Sequence, residues 1–170
     1  MQIYNSKRSR LLLITLALIF AFGVTTASAQ EKVKVKRKSF GILIKSERIQ
    51  IDDTEGHFLT LSEWKGVTSD GEFTRYGTST GDFIKGNGPY NGYMKYVGKG
   101  GNTYITKYEG MFTTTKSKEG KPIATFKGTY SYIKGTGKFE NIQGGGTYKG
   151  AFIGKGIYTM DAEGEYFIKK

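Results

Sequence analysis

Between residues 90 and 150 an aromatic side chain stands two positions ahead of a glycine at a regular beat, in Tyr90-Asn91-Gly92, Tyr108-Glu109-Gly110, Phe126-Lys127-Gly128 and Tyr148-Lys149-Gly150, with steps of 18, 18 and 22 residues. In a strand, residues two apart point to the same face, so each ring can lie over the bare backbone of its glycine while the glycine lets the strand coil tightly. One such unit per strand, with a turn between, describes a sheet that closes on itself. No helical period is sustained anywhere beyond Phe40, which makes the chain all-β.

Alternation bounded by Gly, Asn and Asp turns predicts strands near 40–51, 57–66, 72–84, 89–98, 103–114, 123–133, 146–153 and 156–168. The expected fold is a single eight-stranded antiparallel barrel spanning 40–170. Between the sixth and seventh strands a longer connection carries Phe139 and Ile142, placed to plug one end. In 103–114 one face holds Tyr104, Thr106, Tyr108, Gly110 and Phe112. In 123–133 it holds Phe126, Gly128, Tyr130 and Tyr132. These aromatic faces go inward. An outer-membrane barrel is disfavoured, because Lys95, Lys107, Glu109 and Lys127 would then face lipid, at about 2–4 kcal/mol for each lysine at the midplane. An array of short hairpin repeats fits only residues 148–166 and ranks below the closed barrel.

The first residues read as an export leader. Lys7, Arg8 and Arg10 precede the apolar run Leu11 to Val24, and Ala27-Ser28-Ala29 is a small-residue cleavage site, so 1–29 is expected to be a cleaved signal peptide. The protein is expected to be exported, periplasmic or secreted. With no cysteine in the chain it forgoes disulfides, which fits a bacterial exterior better than a eukaryotic secretory route. The chain is basic, with a formal net charge of +11. Much of that charge outside the leader is concentrated in 30–39, where Lys32, Lys34, Lys36, Arg37 and Lys38 face one acid, Glu31. This basic N-terminal arm is a candidate for binding an anionic envelope surface; the plainer expectation is a solvated segment ahead of the first strand. Nucleic acid is not an expected partner, since no recognition module is present.

Chemical motifs are scarce. One histidine and no cysteine rule out a cysteine–histidine pair or a histidine-rich metal site. His57 opens a strand beside a turn and is expected to hydrogen-bond locally. Asp52, Asp53 and Glu55 lack the spacing of a calcium loop. Asp161, Glu163 and Glu165 share one face near the last strand, opposite Tyr158, Met160 and Tyr166, and that face is expected to meet solvent. Glu63 shares a face with Leu59 and Leu61, whereas Trp64 shares the other with Phe58. With the leucines inward, Glu63 is a buried acid with a raised pKa, able to orient a ligand; the alternative is a structural carboxylate. No cofactor or metal is expected.

Tyr108-Glu-Gly110, Thr125-Phe-Lys-Gly-Thr-Tyr130, Gly135-Thr-Gly-Lys-Phe139, Gly144-Gly-Gly-Thr-Tyr148, Glu163-Gly-Glu-Tyr166 and, upstream, Gly56-His-Phe-Leu-Thr-Leu-Ser-Glu63 resemble the allene oxide cyclase-like barrel proteins of bacteria. The resemblance runs over nearly all of the chain beyond the leader. It implies an eight-stranded antiparallel barrel with a mostly apolar cavity, related to plant allene oxide cyclases and dirigent proteins and often trimeric, with exported bacterial members of unassigned function. Activity does not follow from fold.

Three functions are therefore weighed. The first is capture of a small apolar ligand, with Glu63, Tyr90, Tyr104, Tyr108, Phe112, Phe126, Tyr130 and Tyr148 as candidate contacts. The second is a barrel filled by its own rings that acts through its surface or as a homo-oligomer. The third is a cofactor-free enzyme of the cyclase or dirigent type. The number of inward rings favours the first two, and ligand capture is placed first.

Overall fold

The computed structural model describes residues 31–170. The signal peptide expected at 1–29 lies outside the described residues. Eight strands follow one another: β1 (Val33–Gln50), β2 (His57–Thr68), β3 (Phe73–Ile84), β4 (Gly88–Gly98), β5 (Thr103–Lys116), β6 (Pro122–Gly135), β7 (Ile142–Gly154) and β8 (Ile157–Ile168). Each pairs with its sequence neighbour, β8 pairs with β1, and the sheet closes as an antiparallel barrel. The period-two pattern explains this directly. Along β4, Met94 and Tyr96 are buried while Asn91, Tyr93 and Lys95 are exposed. Lys107, Glu109 and Lys127 likewise stand on the outer surface.

The aromatic–glycine beat works across strands rather than within them. Tyr90 pairs with Gly110 and Tyr108 with Gly92 in the β4–β5 hairpin, while Phe126 pairs with Gly150 and Tyr148 with Gly128 between β6 and β7. Each ring thus covers the bare backbone of the glycine opposite it on the next strand, and the i, i+2 spacing makes the two coverings reciprocal. The same arrangement recurs where Tyr158 covers Gly41 and Met94 covers Gly77. A methyl group at any of these glycines would collide with the covering side chain or with a neighbouring carbonyl, so close approach, rather than unusual backbone torsion, is what demands glycine there.

Two expectations require correction. The first strand begins at Val33, not near residue 40, so the basic segment is no arm: it forms the first half of β1, paired residue by residue with β8. On its outer face Lys34, Lys36 and Lys38 lie opposite Glu165, Glu163 and Asp161. Lys32 and Lys36 form ion pairs with Glu165 and Glu163. Alternating positive charge on one edge therefore meets alternating negative charge on the other, which complements the register in which the barrel closes. The seventh strand also begins earlier than expected, at Ile142, because the run Gly144 to Gly146 stays within the sheet.

The two ends of the barrel differ. One end carries the connections 69–72, 99–102 and 136–141 and is sealed. A 3₁₀ turn, Gly137–Phe139, drops Phe139 into a cluster with Phe73, Tyr96, Tyr104, Tyr132 and Ile142, all buried. Tyr104 is the hub: it stacks on Tyr96 at 4.4 Å between ring centroids and meets Phe73, Tyr132 and Phe139 edge-on at 5.0 to 5.4 Å. The plug expected from Phe139 and Ile142 is present. The opposite end carries the connections 51–56, 85–87, 117–121 and 155–156, and there the interior is not filled.

Candidate functional site

Above the plug lies a cavity of about 250 Å³. Its rim is a chain of partly exposed rings, Phe58, Phe83, Phe112 and Phe152, with successive centroids 5.5 to 5.6 Å apart. The Arg48 guanidinium lies over the outer ring of this chain, 3.3 Å from the centroid of Phe58. The wall is built by Trp64, Tyr90, Tyr108, Phe126, Tyr130, Tyr148 and Tyr158, and the deep end by Arg75, Met94, Tyr96 and Thr106. Size follows from the sequence: the inward glycines on β3 to β7 give up side-chain volume, and the rings that cover them lie flat against the wall instead of crossing the lumen.

Polar groups are few and mostly tied back to the barrel. Trp64 Nε1 donates to Ser79 Oγ at 2.9 Å, the Tyr108 hydroxyl donates to the Thr78 carbonyl at 3.2 Å, and the Tyr148 hydroxyl donates to the Glu109 carbonyl at 3.1 Å. The Tyr90 and Tyr148 phenols converge over Gly110, and the Tyr90 hydroxyl is left without a partner at hydrogen-bonding geometry. Burial pushes the Tyr90, Tyr108 and Tyr148 phenols above their ordinary pKa, so all three remain neutral donors at physiological pH. Among the described lining residues there is no carboxylate and no imidazole.

The candidates chosen from sequence fall in different parts of the barrel. Tyr90, Tyr108, Phe112, Phe126, Tyr130 and Tyr148 all line the cavity. Tyr104 does not: it belongs to the plug below. Glu63 requires correction. It is exposed on the outer face with Leu59 and Leu61, because Phe58 and Trp64, the larger rings, take the inward positions of β2. Both faces of that strand carry apolar residues, and the sum of ring area decides which is buried. Of the basic set, Lys32, Lys34, Lys36 and Lys38 point outward. Arg37 points in, where it donates to the Tyr104 hydroxyl and lies 4.7 Å from the Phe73 ring centroid. His57 sits at the rim end with Asp53 on one ring nitrogen and Asp82 on the other, at 2.5 and 2.6 Å, a local clasp rather than a catalytic arrangement.

Several lining residues were not among the candidates, including Phe83, Met94, Tyr96 and Phe152, and the most consequential of them is a cation. Arg75 on β3 is 2% exposed and contributes to the deep wall of the cavity. Its parity with Phe73, Gly81 and Phe83 was the available signal, a cation on an otherwise apolar and glycine-rich face.

No family model matches this chain, and no curated protein matches it. Among solved structures, a protein of unknown function from the DUF3224 family of Shewanella oneidensis is similar over 82% of this chain and 99% of its own, with TM-score 0.54 and 18% identity. The pterocarpan synthase dirigent protein PsPTS1 is similar over 82% of this chain and 97% of its own, with TM-score 0.54 and 11% identity. A second pterocarpan synthase dirigent protein, GePTS1, matches 88% of this chain and 98% of its own with TM-score 0.53 and 13% identity. The fold is therefore that of the dirigent-like barrels.

Proposed function

We propose that this protein captures a small apolar molecule in the rim half of its barrel. The observation that carries this reading is the unfilled, ring-walled cavity of about 250 Å³ above a plug packed with rings of the same kind. A chain able to fill one half of its lumen with aromatic side chains leaves the other half open, where Tyr90, Tyr108, Phe126 and Tyr148 lie back on paired glycines. An engineered cavity of about 150 Å³ accepts benzene, which scales to a ligand of about ten non-hydrogen atoms here.

The structural neighbours include two proteins described as pterocarpan synthases, and a reaction steered by shape would use this same space. Capture is placed ahead of turnover because the described lining offers neutral phenols and a guanidinium, with no group that exchanges a proton near neutral pH. The leader expected in 1–29 supports, as part of the same proposal, export from a bacterial cytoplasm.

The chain has a single tryptophan, and Trp64 lies in the cavity wall, so intrinsic fluorescence reports occupancy without a label. Native mass spectrometry of protein isolated from its own cells is expected to show one discrete small adduct. Its displacement should change Trp64 emission. A bare mass, together with emission indifferent to a panel of small apolar compounds, would instead mark the barrel as one that works through its surface.

A further inference from the structure

Arg75 is a buried cation with no counter-charge. Its Nε and Nη1 have no acceptor, and Nη2 reaches only Met160 Sδ at 3.9 Å, a long contact to a weak acceptor. The Tyr96 and Tyr158 hydroxyls lie close enough to the guanidinium to favour its charge, and its carbon is 5.2 Å from the Tyr96 ring centroid, yet neither stands at hydrogen-bonding geometry to Nε or Nη1. A guanidinium stays protonated at any pH the protein meets. Burying a charge without a partner is strongly unfavourable, and replacing arginine by a neutral residue at such a place would ordinarily stabilise a barrel. The other inward arginine differs: Arg37 donates to the Tyr104 hydroxyl and lies against the Phe73 ring.

We infer that Arg75 is an anion anchor, and that the cavity takes a small monocarboxylate whose apolar body lies among the rings of the wall and rim. This rests on the ligand-capture reading and names its ligand class. The carboxylate is the compact anion that a single guanidinium pairs with through charge-assisted hydrogen bonds. The lining supplies no acid of its own among the described residues, so the compensating charge has to come from the guest. The apolar body has to be short, since the space admits about ten non-hydrogen atoms in all; octanoate is of that size.

The test is a titration of the purified protein with straight-chain carboxylates of six to ten carbons and with the matching primary alcohols, followed by Trp64 emission and calorimetry. The best acid is expected to bind at least tenfold more tightly than its alcohol. In Arg75→Met that preference should vanish while the alcohol still binds, and the ligand-free variant should melt at or above the temperature of the parent. A structural arginine would instead lower it. Equal affinity of acid and alcohol in the parent, or a preference that survives Arg75→Met, overturns the anchor and leaves the apolar-ligand reading standing. Binding by neither series removes both. Should Arg75→Met not fold, the acid-over-alcohol ratio of the parent decides the matter, and Arg75→Lys is expected to reduce that ratio without reversing it.

Discussion

The two halves of this barrel are built from the same residues to opposite ends. In the closed half, Phe73, Tyr96, Tyr104, Tyr132 and Phe139 cross the lumen and pack on one another. In the rim half, Tyr90, Tyr108, Phe126 and Tyr148 lie back on paired glycines and leave space. The inward arginines follow the same division, one satisfied in the plug and one unsatisfied in the cavity. Aromatic content alone therefore says little about whether a small barrel is full. What decides it is whether the rings lie back on the sheet or cross the lumen, and a glycine opposite is not enough by itself, since Phe73 and Tyr104 in the plug also face Gly98 and Gly135.

The sharpest way to break this comparison is to truncate one ring in each half. Tyr104→Ala removes the hub of the plug and is expected to cost about 3–5 kcal/mol, enough to unfold a marginal domain. Phe152→Ala at the partly exposed rim should cost under about 2 kcal/mol and weaken ligand capture instead. Chemical denaturation of both variants checks this, and equal losses would mean that the rim half is packed as tightly as the plug. Next in size comes Gly128→Ala. The added methyl would run into the Glu109 carbonyl and the Tyr148 hydroxyl, so a loss of about 1–3 kcal/mol is expected, accompanied by a changed cavity. Gly120→Ala lies in a turn with nothing near its side-chain position, though its positive φ of 79° carries its own strain. It should leave ligand capture unaltered, which separates backbone strain from ring displacement.

Much of this arrangement was legible in the sequence, and the gaps have physical causes. The spacing of the four aromatic–glycine units is itself a register statement, since Tyr90 with Gly110 and Tyr108 with Gly92 are the same hairpin counted twice. The barrel and most of the cavity wall followed from it. The strand nature of 33–39 was present too, in the alternation of Lys32, Lys34, Lys36 and Lys38 with Val33 and Val35, but charge density masked a period of two. Glu63 could not be placed by parity alone, because β2 is apolar on both faces and only competition between Phe58-plus-Trp64 and Leu59-plus-Leu61 for the lumen resolves it. Arg75 stood in plain view on the face of Phe73 and Phe83. Cavity volume was beyond reach, because it depends on how rings lie once the sheet has closed.

The two ends are also fastened differently, and pH should tell them apart. At the rim end, His57 bridges Asp53 in the β1–β2 connection and Asp82 on β3. Its pKa is raised from the ordinary 6.5 by hydrogen bonds to Asp53 and then Asp82. A raised folded-state pKa means that the clasp contributes fully below about pH 6.5 and is lost as pH climbs through the higher folded value. Between pH 6 and pH 9 the parent should therefore lose more thermal stability than His57→Gln does, and amide exchange in 51–57 should quicken while that in the plug stays unchanged. Parallel melting curves for the two proteins would show that the rim is held by the sheet ladder alone.

The smallest effect belongs to the outer seam between β1 and β8. Lys36 and Glu163 face each other at 3.4 Å but are largely solvated, with side chains 83% and 66% exposed. Exposed pairs are worth about 0–1 kcal/mol and are screened by salt. A double-mutant cycle of Lys36→Ala with Glu163→Ala is expected to return a coupling near the bottom of that range, fading at high ionic strength. The seam then only complements a register fixed by burial: a slip of the first strand by two residues would be no better in charge and worse in burial, since Arg37 would lose Tyr104 and Phe73. A coupling well above about 1 kcal/mol would reverse that order and make charge, rather than the buried Arg37 contact, the reason the barrel closes where it does.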